Sequence, residues 1–169
     1  MIPVMRIACV IGLLAWNAQA QDTDGPFGGF KHDSSAPIEI TADSLEVRQA
    51  DQIAVFDGNV VAGQGTLRLT ADRVEALLKP EDERDETGAI ERIDATGNVF
   101  LSNGAETAQG ATGTYNVRTG IVTMDGNVVL TQGGNAISGS ALRIDLNTGV
   151  GRIVGRVKTI FTPSSQQEN

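Results

Sequence analysis

From Pro37 onward, apolar and polar residues alternate with a period of two. Ile38 and Ile40 alternate with Glu39 and Thr41, Leu45 and Val47 with Glu46 and Arg48, and Leu67 and Leu69 with Thr66, Arg68 and Thr70. The same alternation runs through Arg73 to Leu78 and Leu142 to Asn147. Successive side chains of a strand point to opposite faces of the sheet, so this pattern marks strands that are half buried. Past the first twenty residues no convincing amphipathic helix period is present. Asp57-Gly58, Thr96-Gly97, Thr119-Gly120, Asp125-Gly126 and Thr148-Gly149 punctuate the alternation as turns or kinks. The pattern predicts an all-β chain.

The elements also recur at a fixed distance. Gly-Asn-Val stands at Gly58-Asn59-Val60, Gly97-Asn98-Val99 and Gly126-Asn127-Val128, with a relative at Gly155-Arg156-Val157; the intervals are 39, 29 and 29. Thr41-Ala42-Asp43 returns 29 residues later as Thr70-Ala71-Asp72. The longer interval contains the acidic run of residues 79–88, and removing those ten residues restores 29. The chain therefore reads as about four copies of one strand unit with an insertion. Each unit has an apolar face that only its neighbours can cover, which implies an elongated stack, either a jelly roll or a β-helix-like solenoid. Such a stack has two ends whose backbone groups lack partners. Gly and Asn both tolerate positive φ, so the Gly-Asn-Val elements have a structural explanation as bulges.

The first residues follow a different rule. Arg6 precedes an apolar run from Ile7 to Trp16, followed by Ala18-Gln19-Ala20 and then Gln21-Asp22-Thr23-Asp24. A charged start, a short apolar run and an A-x-A site form a secretory signal peptide, with cleavage expected after Ala20 and export to a bacterial periplasm. Residues 21–36 are polar and glycine-rich without a period and are read as a flexible leader. Residues 37–162 form the repeat domain, with the insertion at 79–88 read as a solvated acidic loop, and residues 163–169 form a polar tail.

Composition narrows the chemistry. The chain has 169 residues, one Cys, one His and a formal charge of −8. Cys9 and Arg6 lie in the segment expected to be removed, which leaves 12 basic residues against 21 acids, a net of −9. A chain this acidic lacks the basic face that nucleic acid requires, so no nucleic-acid partner is expected. Zinc sites and Cys–His nucleophiles lack their parts, and neither a metal nor an organic cofactor is expected. No phosphate loop or nucleophile elbow is present, so no enzyme activity is expected. The informative feature is the apolar face, which is aliphatic: Ile, Val, Leu and Ala, with few aromatics. It is either a dry packed core or a shelter for lipid chains. At about 0.8 kcal/mol per methylene, burying one dodecanoyl chain is worth roughly 8–10 kcal/mol.

Three stretches carry a resemblance: Pro37 to Asp43, Phe56-Asp57-Gly58-Asn59-Val60-Val61, and Gly63 to Val74. In the second half Tyr115-Asn116-Val117, Thr123 to Val128 and Ile137 to Leu142 follow in the same order. Over Pro37 to Pro163 the chain resembles the OstA-like family of periplasmic lipopolysaccharide-transport proteins, to which LptA belongs. The resemblance implies an elongated, twisted, open β-jelly roll of stacked antiparallel strands. It implies binding of lipopolysaccharide through its lipid A chains, at positions matching Ile38, Tyr115 and Val117. Two-residue parity adds Ile40, Val99 and Leu101 to this lipid-binding set. The resemblance also implies docking of an LptC-like inner-membrane partner at one end and an LptD-like outer-membrane partner at the other, with head-to-tail homo-oligomers. The alternative is a structural β-repeat envelope protein with a dry core and no lipid ligand.

Overall fold

A computed structural model describes residues 30, 33, 35–84 and 88–162. The expected signal peptide and polar tail lie outside the described residues. Ten strands follow in order: β1 (Ile38–Thr41), β2 (Ser44–Arg48), β3 (Ile53–Gln64), β4 (Leu67–Leu78), β5 (Ile90–Ser102), β6 (Glu106–Asn116), β7 (Ile121–Gln132), β8 (Asn135–Asp145), β9 (Val150–Val154) and β10 (Lys158–Ile160). Neighbours pair antiparallel from β3 to β8. The short β1 and β2 both pair with β3, and the short β9 and β10 both pair with β8. The fold is the expected open antiparallel jelly roll, and the described residues contain no α-helix.

The long strands bend at their middles. The register slips between Asp57 and Val60, Thr70 and Arg73, Thr96 and Val99, Gln109 and Thr112, and Asp125 and Val128. Those slips contain Gly58-Asn59, Gly97-Asn98 and Gly126-Asn127, all at positive φ, and Gly155-Arg156 repeats the geometry between β9 and β10. The recurring motifs are therefore mid-strand bulges rather than strand-end turns, whereas Gly120 and Gly149 lie in turns. At Gly97 a side chain would be strained at φ +77° and would run into the Asp72 carboxylate, so only Gly fits there.

The bulges line up into a spine that folds the sheet in two. One leaf runs from β2 to β9 and carries the β3–β8 segments 53–57, 73–78, 90–96, 112–116, 121–125 and 141–145. The other runs from β1 to β10 and carries 60–64, 67–70, 99–102, 106–110, 128–132 and 135–139. Their inward faces meet in one cluster that includes Val74, Ile93, Met124 and Ile144 from the first leaf and Val60, Leu67, Val99 and Leu130 from the second. The leaves come close enough that a Cβ at Gly113 would stand 3.1 Å from Val99 Cγ1.

Two expectations need correction. The leader is not featureless: Phe30 is fully buried in the core cluster, because an aromatic ring gains more from an apolar interior than the chain around it loses in freedom. The alternation in β2 makes a strand but not a buried one, since Leu45 and Val47 are 57% and 55% exposed. They sit opposite the inward-facing Phe56 and Ala54 at the end of the stack, where no further strand among the described residues covers them. In the acidic insertion, Glu81–Glu83 form an exposed 3-10 turn, while Lys79 at its base is buried.

Candidate functional site

All six sequence-selected positions belong to the interior. Val99, Leu101, Tyr115 and Val117 are buried in the core cluster, and the half-buried Ile38 and Ile40 pack against it. Strand parity explains the grouping. Ile38 and Ile40 lie opposite Gln64 and Ala62 of β3, Leu101 lies between Leu69 and Ala108, and Tyr115 lies between Ile93 and Val122. Val117 follows the last residue of β6, held by its backbone N–H donating to Glu91 O at 3.0 Å.

Three of the six, Ile38, Leu101 and Tyr115, share the wall of one cleft between the leaves with Leu69, Ile93 and Met124. Ile40, Val99 and Val117 lie in the surrounding core rather than in this wall. About 30 Å³ of the cleft is unoccupied, room for a water or two. An acyl chain therefore enters only if the leaves part. Apart from Gln64, Thr114 and the Tyr115 hydroxyl the wall is apolar, so it can exclude water from a hydrocarbon chain.

Sequence reasoning missed one polar residue of the wall. Gln64, 4% exposed, takes the inward parity of Val60 and Ala62. Its Oε1 accepts from Tyr115 Oη at 2.9 Å and its Nε2 donates to Ala36 O at 3.0 Å. A polar side chain in an inward register was the available signal. Burial pushes the Tyr115 phenol up to about 12, because a phenolate would lose its hydration there. The buried Glu106 pairs with the half-buried Gln132, whose Nε2 donates to Glu106 Oε1 at 2.7 Å. The outer face is charged: Arg73 reaches Asp57 at 2.9 Å and Glu75 at 3.0 Å, and Arg92 reaches Asp94 at 2.7 Å. Among the described residues no cluster of three or more His, Cys, Asp or Glu could hold a metal ion, and no helix is long and apolar enough to cross a membrane.

The ends of the stack form the other candidate site. Among the described residues β1 and β2 each pair on one side only, as do β9 and β10, so each leaf has an edge at both ends that no described strand pairs. The first end exposes Leu45 and Val47, and the last exposes Val150, Val154, Val157, Ile160 and Phe161, the last of these at 74%.

Comparison with known proteins agrees with this architecture. Residues 39–150 match the family described as LptA/(LptD N-terminal domain) LPS transport protein. An uncharacterised protein of Rhizobium meliloti is 33% identical over 163 residues, 93% of this chain and 88% of that one. The LPS-assembly protein LptD of Salmonella paratyphi A is 35% identical over 83 residues, 49% of this chain but 10% of that much longer protein. The crystal structure of LptH, the LptA-homologous periplasmic component of the lipopolysaccharide transport device of Pseudomonas aeruginosa, superposes with a TM-score of 0.68 at 22% identity, over 78% of this chain and 99% of that one. With a bulged, two-leaved jelly roll and a family match across most of its strands, the chain belongs to the LptA/LptD N-terminal domain family of lipopolysaccharide transport proteins.

Proposed function

We propose that this protein is a periplasmic carrier that shelters the lipid A chains of lipopolysaccharide between its leaves and bridges inner- and outer-membrane export partners. The observation that carries the reading is the continuous apolar interior, which runs between two ends that are themselves unpaired and apolar. A net charge of −9 after removal of the first twenty residues gives no general attraction for an anionic headgroup, so the hold on such a lipid comes from its hydrocarbon. Ile38, Ile40, Val99, Leu101, Tyr115 and Val117 line the path, and no catalytic step is required of any of them.

The edges of β1 and β2 at one end, and of β9 and β10 at the other, suit strand addition by an LptC-like partner, an LptD-like partner or a second copy of the chain. A head-to-tail contact of this kind repeats without closing, so copies can extend the path. The test is photocrosslinking in cells from positions 38, 115 and 117, with Glu75 and Arg143 replaced as outward-facing controls. Lipopolysaccharide adducts at the first three and not at the controls are expected. A folded, exported protein without adducts at any inward position would replace the carrier with the dry-core structural reading.

A further inference from the structure

The cleft as it stands is too narrow for its proposed cargo, and one side chain connects the parts that would have to separate. Gln64 belongs to the β1–β10 leaf and Tyr115 to the β2–β9 leaf, and their hydrogen bond crosses from one to the other. Gln64 also accommodates the chain before β1, through Ala36 O. Upstream of Ala36, Phe30 is buried in the same core, so Phe30 is held to the interior by an apolar contact and Ala36 by a polar one. Gln64, Tyr115 and Ile38, which pairs with Gln64, all line the cleft.

We propose that Gln64 is a positioning residue that clasps the two leaves and the chain at Ala36 over the cleft, and that release of this clasp admits an acyl chain. The proposal rests on the carrier reading for its cargo. Burying two hydrogen-bonding side chains in an apolar wall is unfavourable compared with filling the same space with hydrocarbon, unless the bond does something packing cannot. A hydrogen bond is directional and breaks over a few tenths of an ångström, and its freed groups can take up water at an opening seam. Packed methyl groups give no such reversible point of release. The clasp therefore keeps the interior dry when empty and yields when a lipid supplies apolar surface in its place.

The test uses Gln64→Met, which keeps the length of the side chain but can neither accept from Tyr115 nor donate to Ala36 O. Tyr115→Phe, which removes the cross-leaf bond and leaves the Gln64 donation to Ala36 O in place, is the second variant. Two readouts separate a clasp from a merely structural residue. The first needs no lipid: Tyr115 is the sole tyrosine, so its ultraviolet titration reports on it alone. Burial is what holds its midpoint up at about 12, so in Gln64→Met the midpoint is expected to fall because loss of the clasp lets water reach the phenol at the opened seam. The second is the rate of lipopolysaccharide association, expected to rise about fivefold in both variants, the worth of one net hydrogen bond. An unchanged Tyr115 midpoint together with wild-type association rates would overturn the clasp. A lowered midpoint in a protein that takes up no lipopolysaccharide, wild type included, would overturn the carrier reading and leave the leaf-to-leaf tie standing.

Discussion

The two halves of the stack share one backbone plan and hold it by different means. In the first half, the corners are tied by side chains: Asn59 Nδ2 donates to Asp43 Oδ2 and Asn98 Nδ2 to Asp72 Oδ2, each at 2.8 Å. In the second half, the positions matching Asp43 and Asp72 are Ala111 and Ser140, beneath Gly126 and Gly155. Yet Asn127 and Arg156 keep the same positive φ, at 52° and 45°. Gln64 of the first half also holds Ala36 and reaches across to Tyr115 of the second, whereas the last end carries five exposed apolar residues from Val150 to Phe161. At Gly155 the Ser140 hydroxyl donates to the Gly155 carbonyl at 3.4 Å, whereas Ala111 beneath Gly126 can make no polar side-chain tie, so the same geometry is kept there by the flanking strands. The half without the carboxylate–amide ties is also the half with the larger bare apolar end.

The largest effect expected from this contrast lies in the second half's core. Ile144 is fully buried between Val122 and Gly151 in the register of β7, β8 and β9. Ile144→Ala should cost about 2–5 kcal/mol, the lost transfer of the removed atoms plus the cavity left behind. Urea unfolding should show a lower midpoint at an unchanged slope. A loss well below that range would mean that the second half is not held by its packing, and the contrast would fail.

The second effect belongs to the clasp between Gln64 of the first half and Tyr115 of the second. Burial raises the folded-state value of Tyr115 to about 12, while an unfolded tyrosine titrates near 10. Below pH 10 both states keep the proton and stability is unaffected. Between pH 10 and pH 12 the unfolded chain loses its proton and the folded chain does not, so stability falls as pH rises, by about 2–3 kcal/mol in all. Tyr115→Phe should lack this component of the alkaline decline. Parallel alkaline curves for the two proteins would place the phenol in water and remove one of the ties that distinguish the halves.

Much of this organisation was legible in the chain. The alternation at Ile38–Thr41 and Leu67–Thr70 marked strands, because the two faces of a sheet impose period two on any sequence they bury. The 29-residue spacing marked the corners, because each strand must bend at the same height for the leaves to stack. The partnership of Thr-Ala-Asp with Gly-Asn was harder to see. Both recur at the same interval, but which Asp meets which Asn depends on register, and the ten-residue insertion separates Asp72 from Gly97 further than Asp43 from Gly58. Phe30 could not be read at all, since a single aromatic among glycines and polar residues has no period, and its burial is decided by what the fold brings to it. The bare faces of Leu45 and Val47 failed for the complementary reason: alternation reports that a face is apolar, not that anything lies against it.

The corners themselves provide the finest test of the contrast. Asn98→Ala removes the hydrogen bond to Asp72 and also places a less tolerant residue at φ 47°. The conformational part should cost up to about 1 kcal/mol, since Asn visits the left-handed region more readily than Ala. Because the bond is exposed to water, it should add only about 0.5–1 kcal/mol. Asn127→Ala meets the same conformational cost at φ 52°, but the residue across from it is Ala111, which has no carboxylate to lose. The difference between the two substitutions therefore isolates the side-chain tie. In a cycle with Asp72→Ala, Asn98→Ala should show a coupling near that difference, whereas Asn127→Ala should add independently of Asp72→Ala. Equal costs at the two corners, with no coupling at the first, would show that the bulges are held by the strand ladder throughout. The Asp–Asn pairs would then be passengers on a geometry the backbone already maintains.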